Sequence, residues 1–102
     1  MGMQYDVLAS KPISATGQAK NQADQNLGRV RIKTIYGISG TAAGSVVIRD
    51  GGTGGDVLIT LNTPAKADSG TFWLPLPGEG ILAETDVHVT VADIGSVTLI
   101  YG

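Results

Sequence analysis

Cysteine is absent from these 102 residues, and histidine occurs once. Without cysteine there is no disulfide, no thiolate nucleophile, no iron–sulfur cluster and none of the usual structural zinc sites. The single histidine, His88, has no second histidine or cysteine with which to hold zinc and no serine elbow nearby. It reads as a side chain on the polar face of a strand. No apolar run approaches the roughly 20 residues that span a bilayer. Residues Met1 to Lys11 lack the basic start and apolar centre of a signal peptide, so no membrane partner is expected. Aromatic residues make up only 5% of the chain, a thin supply for stacking sugars or bases. Charged residues are also scarce, at 16% against about a quarter in ordinary soluble domains. Part of the surface is therefore expected to meet protein.

The charge that is present is unevenly spread. Lys11, Lys20, Arg29, Arg31, Lys33 and Arg49 stand in the first half against Asp6 and Asp24. After Arg49, Lys66 alone stands against Asp50, Asp56, Asp68, Glu79, Glu84, Asp86 and Asp93. Such a division suits cross-strand pairing within one subunit or complementary patches between subunits; the first is the expectation.

Strand signals recur at short intervals, with turn residues between them, and no helical period is found. Residues 4–9 and 12–16 are short strand candidates. Residues 17–27 are polar and read as a long loop or extended arm. From Gly28, Val30, Ile32, Thr34 and Tyr36 alternate with Arg29, Arg31, Lys33 and Ile35, which predicts one apolar and one mostly basic face. Gly44 to Asp50 and Val57 to Leu61 read as two strands of a hairpin joined by the glycine-rich turn Asp50 to Asp56. Further strands follow at 71–76, where Pro75 marks an edge or bulge, and at 81–84, 87–91 and 97–101. The expectation is an all-β fold: a single jelly-roll-like β-sandwich over 28–102, with an extended polar N-terminal arm or loop over 1–27. Ile35, Val47, Leu58 and Ile100, with Phe72 or Trp73, fall on nominal outer faces. Either the sheet is covered on both sides there or that surface meets another subunit.

Catalytic and cofactor motifs were sought on the same residues. The glycines at 51–55 are followed by Asp56 and a strand, where a phosphate loop needs Lys and Ser or Thr, or a helix; nucleotide binding is rejected there. Asp50 and Asp56, and Glu79, Glu84 and Asp86, lie at turns without EF-hand spacing and read as solvated turn acids. No metal, cofactor or catalytic constellation is expected. Arg29, Arg31 and Lys33 form the one basic stripe. In an acidic chain with few aromatics it points away from nucleic acid and toward acidic neighbours such as Glu84 or Asp86, or an acidic partner protein.

Taken together, Gly28 to Tyr36, Val47-Ile48-Arg49-Asp50-Gly51-Gly52, Thr63-Pro64-Ala65, Pro77-Gly78-Glu79-Gly80-Ile81 and Val97-Thr98-Leu99-Ile100-Tyr101-Gly102 resemble small virion proteins of tailed bacteriophages. The resemblance implies a capsid decoration (cement) protein or a related head or tail accessory, found on the outer surface of the virion. It implies a symmetric homo-oligomer, a trimer by preference, that binds the major capsid protein through the N-terminal arm. Ile35, Val47, Leu58, Ile100, Arg29, Arg31 and Lys33 are the candidate interface residues. The alternative is a tail- or fibre-associated module that binds carbohydrate or a host surface, with Trp73 or Tyr36 as its contact.

Overall fold

The computed structural model describes residues 8–65, 70–76, 78 and 80–102. Residues 4–7 of the strand candidate at 4–9, together with Lys66, Asp68 and Glu79, lie outside them. Nine strands are found among the described residues: β1 (Leu8–Ala9), β2 (Gly17–Gln18), β3 (Val30–Ser39), β4 (Gly44–Asp50), β5 (Asp56–Thr63), β6 (Thr71–Pro75), β7 (Ile81–Ala83), β8 (Val87–Ala92) and β9 (Ile94–Tyr101). All pair antiparallel, in two packed sheets. The first has the order β1-β9-β3-β6, with β7 also on β3, and the second β2-β8-β4-β5. The chain is an all-β sandwich.

The topology follows from folding the chain back on itself at one turn. β4 pairs with β5 across the glycine turn, β3 with β6, β2 with β8 and β1 with β9. This is one long antiparallel ribbon with its tip at residues 51–55. The ribbon then rolls up, so that β9 meets β3 and β8 meets β4. That is jelly-roll order. At the tip, a Cβ on Gly55 would stand 1.8 Å from the Asp50 carbonyl oxygen, so the turn closes only around glycine.

Alternation then fills the core. Val46 and Ile48 of β4, Val87 and Val89 of β8, and Val97 and Leu99 of β9 are fully buried. Each such side chain contributes roughly 1.5–3 kcal/mol relative to leaving it in water. β3 departs from the simple pattern. Its pairing with β9 shifts register between Ile32↔Tyr101 and Thr34↔Ile100, a β-bulge at Lys33. One inserted residue reverses the phase of everything after it. Ile32 is buried before the bulge and Ile35 after it, while Tyr36 is exposed. The expected apolar face of Val30, Ile32, Thr34 and Tyr36 is thereby corrected, and so is the outward placement of Ile35. Ile35 lies in the core between Leu74 and Leu99.

The expected extended N-terminal segment is also found, but it lies against the chain's own sandwich. β1 borders β9, and Ser10 and Ile13 continue along that edge. Ser10 N–H donates to the Leu99 carbonyl at 2.9 Å, and Ile13 and Val97 exchange backbone bonds of 2.7 and 2.8 Å. The chain then crosses to the second sheet, where Gly17 and Gln18 pair with Val89 and His88 and Ala19 N–H donates to the Val87 carbonyl. Ile13 and Ala19 join the core. Residues 8–20 thus lace the two sheets together along one side. The polar stretch that follows is a tight turn, in which the Asn21 side-chain oxygen accepts from Ala23 N–H and Gln25 N–H, both at 2.9 Å.

The turn at the ribbon tip gives a paired test. Gly55→Ala is expected to destabilise the fold by about 1–3 kcal/mol, because the added methyl strikes backbone rather than a movable side chain. Gly54→Ala, where a Cβ meets nothing within 4 Å, should stay within about 0.5 kcal/mol of the parent. Urea unfolding midpoints of the two variants measure the difference; equal midpoints would show that the turn is not constrained as described.

Candidate docking face

The bulge at Lys33 decides what the first sheet shows to solvent. Beyond it, residues of β6, β3 and β9 lie opposite one another in rows: Pro75, Thr34 and Ile100; Trp73, Tyr36 and Thr98; Thr71, Ile38 and Ser96. None of the nine carries a charge. Trp73 is 69% exposed, Tyr36 45% and Ile38 41%. Directly opposed residues on one sheet face have Cβ atoms about 5 Å apart, so Trp73 and Tyr36 stand side by side. Hydroxyl-bearing residues surround them.

Register also explains which of two adjacent aromatics is outside. Phe72 lies opposite Gly37 and is buried. A Cβ on Gly37 would come within 2.3 Å of the Phe72 ring, so glycine leaves the space that Phe72 occupies. With Phe72 inward, Trp73 must point outward.

The expected interface residues are divided by the fold. Ile100 belongs to the face just described. Val47 is half-buried on the other sheet, opposite Thr60 and Thr90. Leu58 is the unpaired residue of a bulge in β5 and packs against the core, which corrects its expected outward placement. Ile35 is in the core and is withdrawn as a contact residue. Arg29 is exposed just before β3, and Arg31 lies opposite Leu82 and exchanges backbone bonds with Gly102. Lys33 sits at the bulge, where its carbonyl accepts from Leu76 N–H. The bulge brings the basic end of β3 and Tyr36 to the same side of the sheet; strict alternation had separated them.

The carboxylates of Asp50 and Asp86 hold backbone amides at the turns. The strand residues opposite Val30, Arg31 and Ile32 on β7 are Ala83, Leu82 and Ile81, so the expected cross-strand partnership with Glu84 or Asp86 is not formed by register. The Asp86 carboxylate accepts from Val87 N–H at 2.8 Å, Gly28 N–H at 3.1 Å and the Gln18 side-chain amide at 3.0 Å. The Asp50 carboxylate accepts from the N–H groups of Thr85, Glu84 and Asp86 at 2.9, 3.1 and 3.4 Å. Together they tie the ribbon tip, the β7–β8 turn and the start of β3 into one polar corner. Lys11 and Asp24 form an ion pair of 3.6 Å on the N-terminal turn.

His88 is buried, 4% exposed, under the glycine turn. Its Nε2 lies 3.4 Å from the Thr53 hydroxyl, and its strand neighbours are Arg49 and Gln18. The turn therefore covers a histidine that the sequence placed on an open polar face. Among the described residues, no three of His, Cys, Asp and Glu converge so as to hold a metal.

Compared with known protein families, with characterised proteins and with solved structures, the chain matches none. Its function is therefore argued from this surface alone.

The three amides around Asp50, Thr85 foremost, hold its carboxyl below the ordinary aspartate range, outweighing the opposing effect of desolvation. A lowered folded-state pKa stabilises the fold at pH above the unfolded aspartate value of about 3.9. That contribution is lost as pH falls through the lower folded value. Thermal melts of the parent should therefore fall more steeply below about pH 4 than those of Asp50→Asn. Parallel melting curves for the two proteins would remove the amide cluster from the account.

Proposed function

We propose that this chain is a non-enzymatic structural protein of a virion, a decoration or cement protein that braces a larger protein shell as a symmetric homo-oligomer. The observation that carries the reading is the charge-free outer face of the first sheet centred on Trp73, Tyr36 and Ile38. An uncharged sheet face with an exposed tryptophan and tyrosine has the composition of an interface core, where aromatic residues are enriched and charge is depleted. The jelly-roll order is compatible with such a role but hosts many others, so the argument rests on the face. The basic residues Arg29 and Lys33 beside it supply a rim that orients an acidic partner surface. Many weak contacts, repeated by symmetry, add up through effective concentration. In this reading the docking element is the sheet face, and the segment from residue 8 to residue 20 serves to hold the sandwich shut.

The same two rings favour a second reading, a tail- or fibre-associated module that binds carbohydrate. Side-by-side aromatic rings ringed by Thr71, Thr98, Thr34 and Ser96 present stacking surface and hydroxyl groups to a neutral sugar.

Trp73→Ala is expected to leave folding within about 0.5 kcal/mol of the parent, because the ring is mostly in solvent. It should weaken binding to shells of the major capsid protein by a factor of about 30 or more, the cost of about 2 kcal/mol typical of an interface hot spot. Co-sedimentation with undecorated shells measures this. A glycan array run on parent and variant separates the readings: a sugar bound by the parent and lost in Trp73→Ala favours the module. Undiminished shell binding by Trp73→Ala removes the proposed face.

A further inference from the structure

The glycine turn at residues 51–55 is held down by a row of three side chains, and the middle one is the chain's single histidine. Gln18, His88 and Arg49 lie directly opposite one another on β2, β8 and β4. Residues so opposed share a face, with Cβ atoms about 5 Å apart. The row meets the turn at three points. The Gln18 side-chain amide donates to the Gly51 carbonyl at 2.8 Å, and an Arg49 guanidinium nitrogen donates to the Gly55 carbonyl at 3.2 Å. Between them, the Thr53 hydroxyl lies 3.4 Å from His88 Nε2. The other ring nitrogen, Nδ1, is buried and has no partner among the described residues.

We propose that His88 is an acid-sensitive latch: the turn closes over the neutral imidazole and opens when the ring takes up a proton. A neutral ring suits the closed turn. Its Nε2 meets Thr53 as donor or acceptor in either tautomer, and only Nδ1 goes unpaired. An imidazolium carries an N–H on both nitrogens. Under the closed turn the Nδ1–H finds no acceptor, and a buried charge left so is costly. The surrounding groups do not relieve it. On β4, Arg49 sets a second cation directly opposite. On β2, Gln18 is uncharged and gives its amide to Gly51 and Asp86. Residues 51–55 carry no charge, and Asp50 and Asp56 stand at their two ends. The Asp50 carboxylate is engaged by three backbone amides. That of Asp86, just before β8, is engaged by Val87, Gly28 and Gln18. Opening gives Nδ1 to water and lets the two cations part. Glycine at four of the five turn positions lets the backbone move at little steric cost. Closure is therefore complete above the range in which imidazole titrates and is lost as pH falls through it. Protonation of Asp50 is a separate event, below about pH 4. The latch uses no residue of the Trp73 face and stands whether or not that face docks on a shell.

The test is an NMR titration of the full chain between about pH 8 and about pH 5, where imidazole changes charge. With one histidine in the chain, the ring signals need no further assignment. The ring signals and the Thr53 methyl signal are expected to move together with one midpoint, while the methyls of Val97 and Leu99 in the core hold still. Over the same window the Gly55 amide, which donates to the Gly52 carbonyl at 2.9 Å, should lose about tenfold or more of its protection from exchange relative to an unstructured peptide. In His88→Gln both the Thr53 signal and Gly55 protection should be independent of pH across the window. A ring that takes up its proton while Thr53 stays put overturns the proposal, as does a ring still neutral at about pH 5. So does a Thr53 transition that survives in His88→Gln. The first two results are read on the parent and need no variant. Trp73→Ala should leave the transition unaltered, so failure here and failure of shell docking are separate results.

Discussion

The antiparallel ribbon folded at residues 51–55 is what the rest of the molecule depends on. Every later pairing is counted outward from that turn, β4 with β5, β3 with β6, β2 with β8 and β1 with β9. Such pairings are progressively less local, the last joining Leu8 to Tyr101, and each closes a longer loop before it is rewarded. The polar corner built by Asp50 and Asp86 secures the tip. At the far end, residues 8–20 close the open side of the sandwich, where Val97, Leu99 and Val89 would otherwise meet water. A small domain without disulfides has little core to spare, and lacing the sheets with its own N-terminal segment is how this one completes its core.

The outer faces of both sheets are set by local irregularity. A bulge in β3 turns Tyr36 and Ile38 outward beside Trp73 and makes a charge-free platform. A bulge at Leu58 in β5 packs that side chain against the core and leaves Val57 exposed.

Much of this was legible in the residues. The all-β class, the β4–β5 hairpin, the inward sets of Val46 with Ile48 and of Val97, Leu99 and Tyr101, and the edge position of Pro75 follow from two-residue periodicity and turn chemistry. Ile100 was expected on an outer face and is partly exposed there. Leu58, expected beside it in outward placement, packs against the core at the β5 bulge, and Val57 is exposed instead. Ile35 was not where alternation put it, because one inserted residue in β3 reverses every side chain beyond Lys33, and no residue type announces a bulge. The choice between Phe72 and Trp73 was open for the same reason: it depends on Gly37 lying opposite Phe72. Polarity also misled. Residues 8–20 look like a solvated arm because their backbone bonds to β9 and β8 carry no signature in side-chain type, and His88 looks open because the turn that covers it comes from elsewhere in the chain.

Composition and period, then, determined that this chain forms a β-sandwich with glycine at its tightest turn and few charges on its strands. Tertiary structure alone decided which faces are bare. Strand register and bulges arise from pairing between distant segments, and a shift of one residue exchanges inside for outside without altering the sequence at all.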